Sequence, residues 1–79
     1  MIYINILGLI MVSLSMKQGE IVALIGQGRT NGEIATELVL SKRTVEKHVA
    51  NILSKLQLTS RAQIVRWAIE HHLTSTPYE

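Results

Sequence analysis

An all-α fold, four short helices behind an apolar N-terminal arm, is what this sequence predicts, and three observations lead to it. Ser15 with Gln18, Thr30 with Glu33 and Ser60 with Gln63 share the spacing at which a hydroxyl and a side-chain oxygen satisfy the unpaired amides of a first helical turn. Behind each pair, apolar residues return every three or four positions, the period of one helix face. The joints between these stretches are only a few residues long, too short for wandering loops.

The arm comes first. Residues 1–12 are almost wholly apolar but are interrupted by Asn5 and Gly8, and they fall short of the roughly 20 residues that a membrane helix needs. They also lack a basic start and a small-residue cleavage site, which argues against a secretory signal. The arm is therefore expected either to pack on the rest of the domain or to be the end of an upstream region, in preference to entering a membrane. The chain divides into this arm (1–13), a helical domain (14–73) and a tail (74–79), in which Pro77 shows that regular structure has stopped.

The first helix, about 16–27, follows the Ser15 cap and carries Ile21, Leu24 and Ile25 on one side, and Gly28 supplies the left-handed residue that ends it. A short second helix, 31–39, places Ile34, Ala35 and Leu38 on one face. Ser41 is positioned to cap the third, about 42–56, whose buried side is Val45, Val49, Ile52, Leu53 and Leu56. The fourth, about 61–72, has Val65, Ala68, Ile69 and His72 as its stripe, with Ile64, Trp67 and His71 beside it. Helices two and three are joined so tightly that they form a helix-turn-helix pair, about 31–50.

Size and composition limit what such a fold can do. At 79 residues one domain is the ceiling. The absence of cysteine excludes disulfides and thiolate metal sites and fits a reducing cytoplasm. His48, His71 and His72 form no metal motif, and no metal or cofactor is expected. A phosphate-binding glycine loop, a nucleophile elbow and a clustered acid pair are all missing, so no catalytic residues are assigned and the chain is not expected to be an enzyme.

A net charge of +2 does not by itself argue for nucleic acid, but its distribution is uneven. Lys42, Arg43, Lys47, Lys55 and Arg61 face Glu46 alone between positions 41 and 61, whereas Lys17, Arg29 and Arg66 face Glu20, Glu33, Glu37, Glu70 and Glu79 elsewhere. With its apolar side in the core, helix three turns Arg43, Glu46, Lys47, Ala50 and Ser54 outward, and Lys42, Thr44, His48, Asn51 and Lys55 lie on its flanks. Cations and hydroxyl or amide groups there suit phosphates on either side of a major groove, and Ala50 is small enough to let the helix come close. On pattern alone, an ordinary solvated face explains the same residues equally well.

Residues 41–56, Ser-Lys-Arg-Thr-Val-Glu-Lys-His-Val-Ala-Asn-Ile-Leu-Ser-Lys-Leu, resemble the recognition helix of the LuxR family (GerE-like) helix-turn-helix domain. Residues 20–28 and 30–35 resemble that family's first two helices; Leu58, Ser60, Arg61 and residues 62–73 resemble its fourth. The resemblance covers about residues 14–73. It implies a tetrahelical, cytoplasmic, bacterial domain that binds double-stranded DNA at promoters, usually as a homodimer, under the control of a separate sensory or receiver domain. By the same resemblance, Thr44 and His48 are backbone contacts, Glu46, Lys47 and Ala50 face bases, and Asn51 and Lys55 lie near phosphate. Glu20 would tie helices together; its alternative is a surface acid favoured by the helix dipole.

Departures from the family pattern carry expectations of their own. Gly32 replaces a common Lys or Arg and should cost about 1 kcal/mol relative to alanine inside a helix. Gly19 stands where a charged residue is usual. Gln57 replaces the glycine that usually closes helix three, so a left-handed cap there would be strained. Glu46, at a common lysine position, could accept from a cytosine amino group but would repel phosphate.

Ile64, Trp67 and His71 are the candidates for a dimer contact; the alternative for Trp67 is packing against the arm. A second function remains open beside DNA binding. The chain could be a truncated or stand-alone interaction module that pairs with a full-length regulator through helix four or the arm.

Overall fold

The computed structural model describes residues 14–74, as four helices in the expected order: α1 (Met16–Gly26), α2 (Asn31–Leu38), α3 (Lys42–Leu56) and α4 (Arg61–Glu70). The arm and the tail beyond residue 74 lie outside the described residues, and with them the expected packing of Trp67 on the arm. No helix among the described residues is long and apolar enough to cross a membrane.

Local hydrogen bonds set the helix starts. In each of the three predicted capping boxes the hydroxyl accepts from the third residue's amide while that residue's side chain accepts from the cap's own amide: Ser15 with Gln18, Thr30 with Glu33, Ser60 with Gln63. Ser41 caps α3 singly, its hydroxyl accepting from the Thr44 amide at 3.0 Å.

The helix ends share a second motif. The amides of Arg29, Leu40, Leu58 and Leu73 donate back to the carbonyls of Leu24, Ala35, Leu53 and Ala68, closing each helix with a six-residue loop. Such a loop needs one left-handed residue. Gly28 supplies it after α1, but Val39 (φ 55°), Gln57 (φ 57°) and His72 (φ 58°) supply it after the others. A β-branched side chain such as Val39 is a genuine outlier there, and the compensation lies one residue on. Leu40, Leu58 and Leu73 fold back onto the core, the apolar contact that accompanies this motif.

Helix α1 is the central element. Ile21, Val22, Ala23, Leu24 and Ile25 are all buried, so its apolar surface runs all round rather than along one stripe, and α3 and α4 pack against it. Ile34 and Ala35 of α2, Val45 and Ile52 of α3, and Ile64 and Ala68 of α4 complete the core.

The α1–α4 contact corrects the predicted stripe of α4. Ile64 and Ala68 are fully buried and Trp67 is partly so, whereas Ile69 is 56% exposed and His72 is exposed. The helix is therefore rotated toward the side that was expected to flank the stripe. Gly26 accounts for this: a Cβ built on it would lie 2.9 Å from the Ala68 Cβ and 3.3 Å from the Thr74 Cγ2. Two of the smallest residues thus meet where the helices come closest, which fixes the face that α4 turns inward. The helix also stops at Glu70 rather than at residue 72, His71 and His72 forming the closing turn.

Candidate nucleic-acid interface

Helix α3 is amphipathic by construction. Val45 and Ile52 are fully buried, with Val49, Leu53 and Leu56 packed partly buried against the core. Around the remainder of its circumference Lys42, Arg43, Glu46, Lys47, Ala50, Asn51, Ser54 and Lys55 are exposed. The main contacts of α3 are with α1 and α2, and its outer residues are exposed among the described residues.

The tight turn before α3 positions its first residues. Ser41 donates its hydroxyl to the Thr44 hydroxyl at 2.8 Å while accepting from the Thr44 amide, which leaves Thr44 half-buried at the foot of the helix. Lys42 and Arg43 stand beside this first turn, where the unpaired amides and the helix dipole present positive potential. The ion pairs among the described residues are Lys17–Glu20 at 3.5 Å and Arg29–Glu37 at 2.7 Å, so none of these residues' carboxylates neutralises a cation of α3.

Three residues behave differently from the rest of the basic stretch. Lys55 donates to Oε1 of Gln18 at 3.1 Å and thereby pins the last turn of α3 to the first turn of α1. The same oxygen accepts from the Ser15 amide at 3.0 Å, so one buried side chain both caps α1 and holds α3. Arg61 turns inward: it donates to Oδ1 of Asn31 and to the Arg29 carbonyl, both at 2.7 Å, joining the start of α4 to the start of α2. Its charge therefore contributes less to an outer surface than the sequence count implied. His48 is half-buried with Nδ1 enclosed and unpartnered, so any polar contact it makes outward has to go through Nε2.

Glu20 is buried and pairs with Lys17 of its own helix, and among the described residues no ion pair or hydrogen bond joins its carboxylate to another helix. At the start of α2 the Thr30 amide, donating at 2.8 Å to the Glu33 carboxylate, holds that carboxyl below the usual range.

On α4 the Trp67 and His71 rings stack at 4.1 Å with 21° between their planes, and His71 Nδ1 donates to the Trp67 carbonyl at 2.8 Å. Both remain half-buried, whereas Ile64 belongs wholly to the core and has no surface to offer a dimer partner. The tying roles of Gln18, Asn31 and Arg61 went unseen in the sequence because each depends on a partner about 30 or more residues away.

The family described as bacterial regulatory proteins, luxR family, matches residues 12–68. The transcriptional regulatory protein LiaR of Bacillus subtilis is 43% identical over 63 residues, which cover 80% of this chain and 30% of LiaR. The response regulator protein VraR of Staphylococcus aureus is 43% identical over 60 residues, 76% of this chain and 29% of VraR. VraR of Staphylococcus epidermidis matches with the same identity and coverage. The chain thus spans about 30% of the length of these curated relatives.

Proposed function

Because this chain belongs to the luxR family of bacterial regulatory proteins, we propose that it is the output domain of a transcription regulator, binding double-stranded DNA sequence-specifically with α3 in the major groove. The observation that carries the reading is the open outer side of α3, where exposed Lys42, Arg43 and Lys47 have no carboxylate partner among the described residues while Val45 and Ile52 anchor the opposite side. A helix can be a reading head only if its packing uses none of the reading residues, and among the described residues none packs on Arg43, Glu46, Lys47 or Ala50 through its side chain.

The roles follow from position. Early residues of a recognition helix meet base edges, so Arg43, Glu46, Lys47 and Ala50 face the bases. Thr44, Lys42, His48 through Nε2, and Asn51 lie toward the phosphates on the flanks. Lys55 adds charge at the far end of the helix but spends one of its donors on Gln18. On DNA the domain works as a homodimer, two copies placing their α3 helices in major-groove faces one turn of about 34 Å apart. The half-buried Trp67 and His71 of α4 supply the pairing surface. LiaR and VraR are named as a transcriptional regulatory protein and a response regulator, which supports a regulatory output role for this chain under the control of another domain.

Fluorescence anisotropy on promoter-derived duplexes at two salt concentrations tests the reading. Affinity should fall as salt rises, with a log–log slope of about −0.9 for each phosphate neutralised. Lys47→Ala should relax base preference, and Lys42→Ala should weaken binding to all sequences alike. If both variants bind as the parent does, α3 is not the reader.

A further inference from the structure

We infer that Glu46 is a specificity-determining residue, selecting a site with a cytosine, read through its exposed amino group, at the base pair it faces and rejecting guanine on the strand it reads. The inference rests on the proposed docking of α3 in the major groove and goes beyond it by naming the base that this chain demands.

The carboxylates of the neighbouring elements show why. Glu20 of α1 pairs with Lys17, and on α2 Glu33 caps Thr30 while Glu37 pairs with Arg29. Each of these acids has a structural task. Glu46 has none among the described residues: it is exposed, and no ion pair or hydrogen bond reaches it, although Arg43 stands one turn before it and Lys47 beside it. It lies one turn before the small Ala50, at the fifth position of α3, within the early part of a recognition helix that meets base edges.

A carboxylate there works against the generic attraction of its cationic neighbours for phosphate, so it weakens binding to indifferent sequence. Its two oxygens are acceptors only. In the major groove guanine presents acceptors at O6 and N7, which a carboxylate repels, whereas cytosine presents a donor at N4. Adenine also offers an amino donor, but its N7 acceptor lies beside it and suits a side-chain amide better than a carboxylate. A lone carboxylate among cations is therefore a filter: it lowers affinity everywhere except where an exocyclic amine receives it.

The test is selection of duplexes from a randomised library by the full chain, followed by anisotropy on the selected site and on duplexes changed one base pair at a time. The parent should demand cytosine at one position of each half-site, with a penalty of about 5- to 150-fold for guanine there. Glu46→Ala should lose that preference while binding unrelated DNA several-fold more tightly at low salt. Glu46→Gln should shift the preference toward adenine, and Glu46→Lys toward guanine. Far-UV circular dichroism should be unchanged in all three, because among the described residues nothing folds against this side chain. If the parent binds duplex DNA and Lys47→Ala relaxes its preference, yet Glu46→Ala keeps the parent's preference at every position, the inference about Glu46 is wrong and the docking stands. A parent that binds no duplex overturns both.

Discussion

Three glycines of this domain should respond in opposite senses to the same substitution. Alanine is favoured over glycine inside a helix by about 1 kcal/mol, so propensity alone predicts that Gly19→Ala, Gly26→Ala and Gly32→Ala all stabilise. The surroundings divide them. A Cβ at Gly19 meets nothing within 4 Å, and at Gly32 it meets only the Thr30 hydroxyl at 3.9 Å. Both variants should therefore gain about 0.5–1 kcal/mol, Gly32 toward the lower end because it lies in a first turn. At Gly26 the new methyl would stand 2.9 Å from the Ala68 Cβ, an atom fixed to the backbone of α4 that cannot rotate away. Forcing an extra methyl into a packed contact costs about 1–3 kcal/mol, which at its midpoint outweighs the propensity gain and leaves a net loss of about 1 kcal/mol. For a domain of this size each kcal/mol moves Tm by about 4–8 °C, so Gly26→Ala should melt about 4–8 °C lower and the other two a few degrees higher. Thermal melts followed by circular dichroism read this directly. Ala68→Gly added to Gly26→Ala should recover part of the loss, since the two positions share one contact. A Gly26→Ala variant as stable as Gly19→Ala would refute the close α1–α4 approach.

Other variants test the helix ends and ties. Gln57→Gly should raise stability by about 0.5–1 kcal/mol, the left-handed strain of a side chain less the extra chain entropy of glycine, read as a higher urea midpoint at unchanged m. Val39→Asn should do the same at the turn before α3, where the valine is 89% exposed and loses little packing when replaced. Arg61→Met should cost about 2–3 kcal/mol through its bonds to Asn31 and the Arg29 carbonyl, and Arg61→Lys should not recover it, since one ammonium cannot reproduce the fork. The carboxyl of Glu33 titrates lower in the folded domain than in the unfolded chain, so its contribution is fully present above the unfolded value near 4.3 and is lost as pH falls through the folded one. Acid titration of stability should thus be flatter below about pH 4.5 in Glu33→Gln, which can still accept from the Thr30 amide.

What the sequence disclosed and what it withheld divide by distance along the chain. The capping boxes were legible because both partners lie within three residues, and the apolar face of α3 because its period needs no knowledge of a neighbour. The rotation of α4 was not, because it depends on the meeting of Gly26 with Ala68, and nothing local distinguishes Gly26 from the unencumbered Gly19. Arg61 was counted with the outward cations for the same reason: its partners Asn31 and Arg29 come close only when α2 and α4 pack together. Val39 shows a competition that propensity misjudges. A valine resists the left-handed region, yet burying Leu40 and closing the α2 loop on the Ala35 carbonyl outweigh that resistance.

The way α3 is held separates folding from recognition. Its inward side is fixed by Val45 and Ile52, its start by Ser41 and its end by Lys55 on Gln18 and by the Leu58 loop. Among the described residues none of Arg43, Glu46, Lys47, Ala50 or Ser54 takes part in those attachments through its side chain. Substitutions at these five positions should therefore leave stability within about 0.5 kcal/mol of the parent, as for other surface sites without structural partners. Base preference, by contrast, would change with each of them if α3 is the reading helix. Relatives sharing the frame need not share a binding site: identity at the buried and capping positions speaks to the fold, and the five outward positions speak to the sequence read. If α3 is the reading helix, an exchange of those five side chains for the corresponding ones of LiaR should change the base preference measured for this chain without altering Tm by more than a few degrees. A transplanted helix that unfolds the domain would show that the outer face of α3 also serves the fold.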